Sequence, residues 1–285
     1  MTSSSRRPAA GGCLRPTDDP AIVSTVHALI AILAAARRHH TPTPVGVPGF
    51  GASSGSDVPW GLLLILVGGV TAVGLVAYLS YLSQKRRRLG FRTVARQLGL
   101  DYLLQDPFGL LGFPFALFQK GDGRGIENVL SGVWHGLEVR AFDYWYFEES
   151  TDSNGRRSRS YSRFDCAIVP LAASCPELSI ARETFFTRLA GALSFHDIQF
   201  EDERFNAEFH VSANDRKFAN DLIDARMMQW LLANAGDRSI EVVGNRVLVA
   251  GPKVAPTEMI EVIGIAKGFL DHIPKVVASL YPASG

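Results

Sequence analysis

An excess of charge of either sign is missing from this sequence: 29 Lys and Arg stand against 28 Asp and Glu, for a net charge of +1. Bulk nucleic-acid binding needs a basic surplus, so nucleic acid is not an expected partner. Lysine is scarce, 6 residues against 23 arginines, and with abundant Ala and Gly this is the composition of GC-rich bacterial coding. Cysteine is also scarce. Cys13, Cys166 and Cys175 form no CxxC pair and have no histidine at ligand spacing, so no metal and no cofactor is expected. Cys166 lies in an apolar run and reads as a buried, reduced thiol. The residues before Cys13 lack the apolar stretch of a lipoprotein signal.

Catalytic signatures are missing as well. There is no GxSxG elbow and no GxxxxGK[ST] loop. The glycines of KGDGRG (121, 123 and 125) would need a helix after them to cradle phosphate, whereas residues 126 to 134 have the pattern of a strand; the run is read as a turn. The 7 histidines are scattered, and His196 and His210 are read as structural. No catalytic residue is assigned.

What is present is a long run without charge. Residues 60 to 82, WGLLLILVGGVTAVGLVAYLSYL, would span about 34 Å as a helix, enough for a hydrocarbon core of about 30 Å. Lipid offers no partners to backbone polar groups, so the run is predicted to be a transmembrane helix, over 58 to 83 with its edges. Trp60 at one end and Tyr78, Tyr81 and Leu82 at the other suit the two interfaces. Lys85, Arg86, Arg87 and Arg88 follow directly, and Asp57 precedes. The positive-inside rule places that basic side, and everything after it, in the cytoplasm of a single-pass plasma-membrane protein. The four cations are candidates for anionic lipid headgroups. Gly68 and Ala72 form a small-xxx-small pair through which a homodimer could pack.

Residues 1 to 57 are rich in Ser, Pro, Gly and Thr and read as a mostly disordered arm. Within it, residues 21 to 36 form a weak apolar segment: a second short span, a signal-like segment, or the mark of a start codon set too early.

After the span, a basic juxtamembrane helix is expected over 84 to 99, with Phe91, Val94, Ala95 and Leu98 on one face and Gly99 as its stop. Residues 100 to 285 then form one α+β domain, an antiparallel sheet packed by helices. Strands are predicted at 113–119, 126–134, 137–147, 163–171 and 205–211, with residues 150 to 160 as a polar loop. A hairpin (240–243, 246–250) should turn at Gly244-Asn245. Helices are predicted from a Ser179 cap through Phe186 and Leu193, over 215–235, from Pro256 through Leu270, and after Pro274.

The segment DYWYFEES is the densest in chemistry. On a strand, Phe142, Tyr144, Tyr146 and Glu148 share one face, and Asp143, Trp145 and Phe147 the other. Tyr144, Tyr146 and Glu148, with Arg156, Arg157 and Arg159 of the next loop, are the candidate surface for a ligand or an unknown protein partner. Asp143, Glu148, Glu149 and His196 are the residues an unrecognised enzyme would use for acid–base work.

Three stretches, DPFGLLGFPFALFQKGDGRGIENVLSG, FDYWYFEES and FNAEFHVSANDRKFANDLIDARMMQWLL, resemble a family of uncharacterised single-pass membrane proteins of actinobacteria over about residues 60 to 280. The resemblance implies a membrane anchor with a cytoplasmic domain of unknown function, and brings no catalytic residues. The resulting expectation is a membrane-anchored interaction or regulatory module, with a tethered enzyme or an anionic-lipid sensor as alternatives.

Overall fold

The computed structural model describes residues 60–183, 185 and 196–283. The arm, its apolar segment 21–36 and the predicted helix through Phe186 and Leu193 lie outside them. The described chain begins with helix α1, Trp60–Leu98, and this is one helix long and apolar enough to cross a membrane. No break separates the apolar run from the basic residues, because Arg, Leu, Gln and Ala after residue 83 all favour helix. The described chain divides after Lys85 into two units, 60–85 and 86–283.

The second unit is α+β. Its strands are β1 (Asp101–Gln105), β2 (Gly123–Trp134), β3 (Leu137–Thr151), β4 (Arg157–Ala181), β5 (His196–Asp197), β6 (His210–Ala213) and β7 (Ser239–Pro252). The sheet runs β1-β2-β3-β4-β6-β5, with β7 on β4, and every pairing is antiparallel. The helices are α2 (Glu203–Glu208), α3 (Arg216–Leu222), α4 (Ala225–Asn234), α5 (Met259–His272) and α6 (Lys275–Leu280).

Period-2 alternation divides the core. One cluster joins Val139, Ala141, Ala167 and Val169 to Phe91 and Val94 of α1 and to Met259, Val262 and Phe269 around α5. The other joins Phe142, Tyr144, Phe164 and Cys166 to Leu110, Phe115, Leu117 and Phe118. The buried residues at the middle of β3 and β4 therefore face the helices and the segment 110–119 in turn.

Several local expectations gave way to tertiary pairing. Residues 113–119 form no strand: a 3₁₀ turn at Leu110–Gly112 precedes them and another, Ala116–Gln119, ends them, since Pro114 has no N–H for a ladder. Ser179 is no helix cap: it lies within β4, opposite Ser212 on one side and Glu241 on the other. The supposed strand 205–211 opens as helix α2, because the Asp202 side chain accepts from the Phe205 N–H and caps it. The helix 215–235 is two, since Asp224 accepts from the Met227 N–H and starts a second one. The hairpin 240–250 is a single strand: Ile240 pairs with Ile180, Val249 with Ala167, and Gly244 takes a φ of 58° at the bulge between them. The polar loop 150–160 is mostly paired, with Thr151 opposite Arg157 and Glu149 opposite Arg159. Only the tip turns, where Asp152 accepts from the N–H groups of Asn154 and Arg156.

Candidate functional site

The most elaborate polar construction centres on Arg87. Arg87 stands four residues before Phe91, so both occupy the same face of α1, and Phe91 is wholly buried. The Arg87 guanidinium is thereby delivered to the sheet. Its Nε donates to Asp143 Oδ2 and its Nη2 to Asp143 Oδ1, both at 2.7 Å. Nη2 also donates to Asp165 Oδ1 at 2.7 Å, and Nη1 to the Val254 carbonyl at 2.6 Å. Asp143 and Asp165 are register partners on β3 and β4. Asp165 Oδ2 accepts from the Val254 N–H at 2.7 Å. Asn128 completes the set: its amide donates to Asp143 at 2.8 Å and accepts from the Tyr102 hydroxyl at 2.9 Å. A bulge in β2 between Glu127 and Leu130 puts Asn128 at a φ of 54°, a conformation few side chains adopt and Asn tolerates best.

Two carboxylates share one guanidinium, so the clamp has one negative charge too many. Asp165, with 0% of its side chain exposed, is pushed up to about 7, first by burial and then by Asp143; Arg87 and the Val254 N–H oppose this. Burial works against the Arg87 charge, but its hydrogen bonds and proximity to Asp143 and Asp165 outweigh it, and its pKa is raised. Nearby Lys253 is held below the usual lysine range by partial burial and by the Arg87 and Arg163 charges.

Beyond Asp143, the same face of the hairpin continues as Trp145 and Phe147, with Tyr161 on β4. Their rings lie 6.4 Å (145–147), 6.0 Å (145–161) and 5.4 Å (147–161) apart. Gly125 and Gly123 stand opposite Trp145 and Phe147 on β2. A Cβ at Gly123 would fall 2.4 Å from the Phe147 ring, and one at Gly125 2.6 Å from the Trp145 ring, so the rings rest on bare backbone. Arg159 bonds Glu149 at 2.7 Å and covers the Phe147 ring at 4.6 Å. Arg163 is exposed opposite Trp145.

The other face is closed. Tyr144 and Tyr146, 1% and 4% exposed, belong to the interior and not to a partner surface. The reason is the 3₁₀ segment over them. Glu241, fully buried, accepts from the N–H groups of Ala116 (2.6 Å) and Leu117 (3.2 Å), while the Tyr144 hydroxyl donates to the Leu117 carbonyl at 3.0 Å. Burial raises Glu241 to about 7 despite those two bonds.

Arg87 likewise departs from expectation: occupied by two aspartates, it is no headgroup ligand. Lys85 and Arg86 are exposed and Arg88 half-buried. Trp60, Tyr78 and Tyr81 are exposed on α1, as are Gly68 and Ala72, and Leu82 is half-buried. Glu148, Arg156, Arg157 and Arg159 are exposed. The four acid–base candidates are not gathered: Asp143 sits in the clamp, Glu148 and Glu149 near the hairpin tip, and His196 on β5, beyond β4 and β6. Sequence reasoning missed Asp165, Asn128 and Tyr102. One signal was available: AFDYW and RFDCA each put an Asp after Phe in an apolar strand, where a charge needs a partner. Among the described residues there is no cluster of three metal-ligating side chains.

No protein-family model and no curated protein matches the chain. Among solved structures it is similar to the crystal structure of the mycobacterial trehalose monomycolate transport factor A, TtfA, with a TM-score of 0.46 and 15% identity, over 70% of this chain and 97% of that one.

Proposed function

We propose that this chain is a membrane-anchored module of the plasma membrane that works by binding rather than by catalysis, with its sheet domain in the cytoplasm. The observation that supports it is the Arg87 clamp. Asp143 and Asp165 are the paired carboxylates nearest to an acid–base arrangement, and both are committed to a guanidinium that holds the end of α1 on the sheet. Arg87 comes five residues after Leu82, the last apolar residue of the span, so the same helix carries both the anchor and the grip on the domain. The basic stretch 85–88 supports the cytoplasmic side.

Cysteine accessibility in intact cells tests it, with Ser56→Cys and Ser153→Cys placed singly in a Cys13→Ser background. The remaining cysteines, Cys166 and Cys175, are buried. An impermeant thiol reagent should label the Ser56→Cys chain alone. Labelling of the Ser153→Cys chain from outside would overturn the cytoplasmic assignment.

A further inference from the structure

Among the described residues, the helices cover the Asp143 face of the sheet only as far as the clamp. Past it, the β3–β4 hairpin extends with Trp145, Phe147 and Tyr161 half-exposed. We infer that this strip, formed by Trp145, Phe147 and Tyr161 with Arg157, Arg163 and Lys253, docks on the anionic phospholipid headgroups of the bilayer that α1 crosses; the inference rests on the membrane-anchored reading above.

Charge is the first argument. Glu149 is paired with Arg159, while Asp122 and Asp152 keep their charges and are turned to backbone, Asp122 accepting from the Glu149 N–H and Asp152 from the tip N–H groups. Glu148 points to the opposite face by strand alternation. Arg157, Arg163 and Lys253 are exposed and have no ion-pair partner among the described residues. The Arg87 and Arg163 charges disfavour that of Lys253, against the pull of Asp143 and Asp165, so an anion held between Lys253 and Arg163 eases that repulsion. Guanidinium groups match phosphate oxygens with paired N–H donors.

The aromatic composition is the second argument. Trp and Tyr have an apolar body and a polar tip, and they collect at the headgroup level of bilayers. Here they are displayed on a strand ladder, with Trp145 and Phe147 resting over two glycines.

The full chain in nanodiscs tests this, using neutral phosphatidylcholine discs and discs with a large phosphatidylglycerol share, each with brominated acyl chains. The signal is the Trp145 part of the fluorescence, obtained by subtracting the Trp145→Phe chain. Bromine should quench it in anionic discs, and salt near 1 M should release it. Arg163→Gln should lower the docked-to-free ratio about fivefold, the effect of one cation near an anionic surface. Arg156→Gln, at the tip, checks that a lost charge elsewhere does less, and circular dichroism checks that each variant folds. Equal quenching in neutral and anionic discs would overturn the inference. So would a Trp145 signal that responds only to added cytosolic protein. Failure of the chain to enter discs would instead overturn the membrane-anchored reading.

Discussion

Strand β3 has two faces built from nearly the same residues and put to opposite uses. Phe142, Tyr144 and Tyr146 lie under the 3₁₀ segment and are sealed there by Glu241. Asp143, Trp145 and Phe147 alternate with them, and there α1 covers Asp143 while the two rings remain half-exposed. Residue type does not separate a core face from a display face; what covers the strand does. The lid over the first face comes from residues 110–119 and the cover over the second from Arg87, each far from β3 in sequence.

The largest expected effect breaks the covered end of the display face. Arg87→Met should cost about 3–5 kcal/mol, because it strands two carboxylates, one of them with no exposure. Denaturant unfolding of the full chain in nanodiscs measures this. Adding Asp143→Asn and Asp165→Asn to that variant should recover most of the loss; no recovery would mean that the clamp is not electrostatic.

Tyr144→Ala attacks the sealed face and should cost about 3–5 kcal/mol through the cavity it opens. Tyr144→Phe keeps the ring, loses the bond to the Leu117 carbonyl and should cost about 1 kcal/mol. Similar losses for both would show that the hydroxyl, not the packing, holds the lid.

Acidity separates the faces more gently. Asp165 and Glu241 both sit near 7 in the folded chain, from ordinary values of 3.8 and 4.5. Between the ordinary value and 7 the native state binds more protons than the unfolded one. Stability should therefore fall as pH rises through that window and level off above it. Each group adds about 1.4 kcal/mol per pH unit to the slope when fully engaged. Glu241→Gln should remove its share and leave that of Asp165, as melting between pH 5 and 8 would show; an unchanged slope would exclude Glu241.

The smallest effect is expected on the open end. Trp145→Ala should change stability by no more than about 1 kcal/mol, since the ring is half-exposed and packs on a surface ladder. A loss as large as that of Tyr144→Ala would make the strip part of the core and remove the basis for a docking surface.

Much of this was legible in local sequence. Alternation in DYWYF places the two sets of aromatics on opposite faces, and Gly136 after His135 marks the β2–β3 turn, where φ is 78° and 48°. Asp224 was harder to read, because it interrupts an apolar period that continues on both sides of it. Glu241 was invisible, as a carboxylate in a β-branched run has no local sign that two N–H groups await it across the fold.

Local sequence is sufficient for a helix long and apolar enough for a bilayer and for an α+β class with antiparallel strands. These follow from short-range physics: an uncharged run of 23 residues and the periods of the strands. Long-range packing, by contrast, makes Arg87 a clamp, puts Tyr144 in the core and joins residues 239–252 into one strand. Those outcomes depend on partners up to 167 residues away, as in the bond from Arg87 to the Val254 carbonyl, and no local window contains both ends.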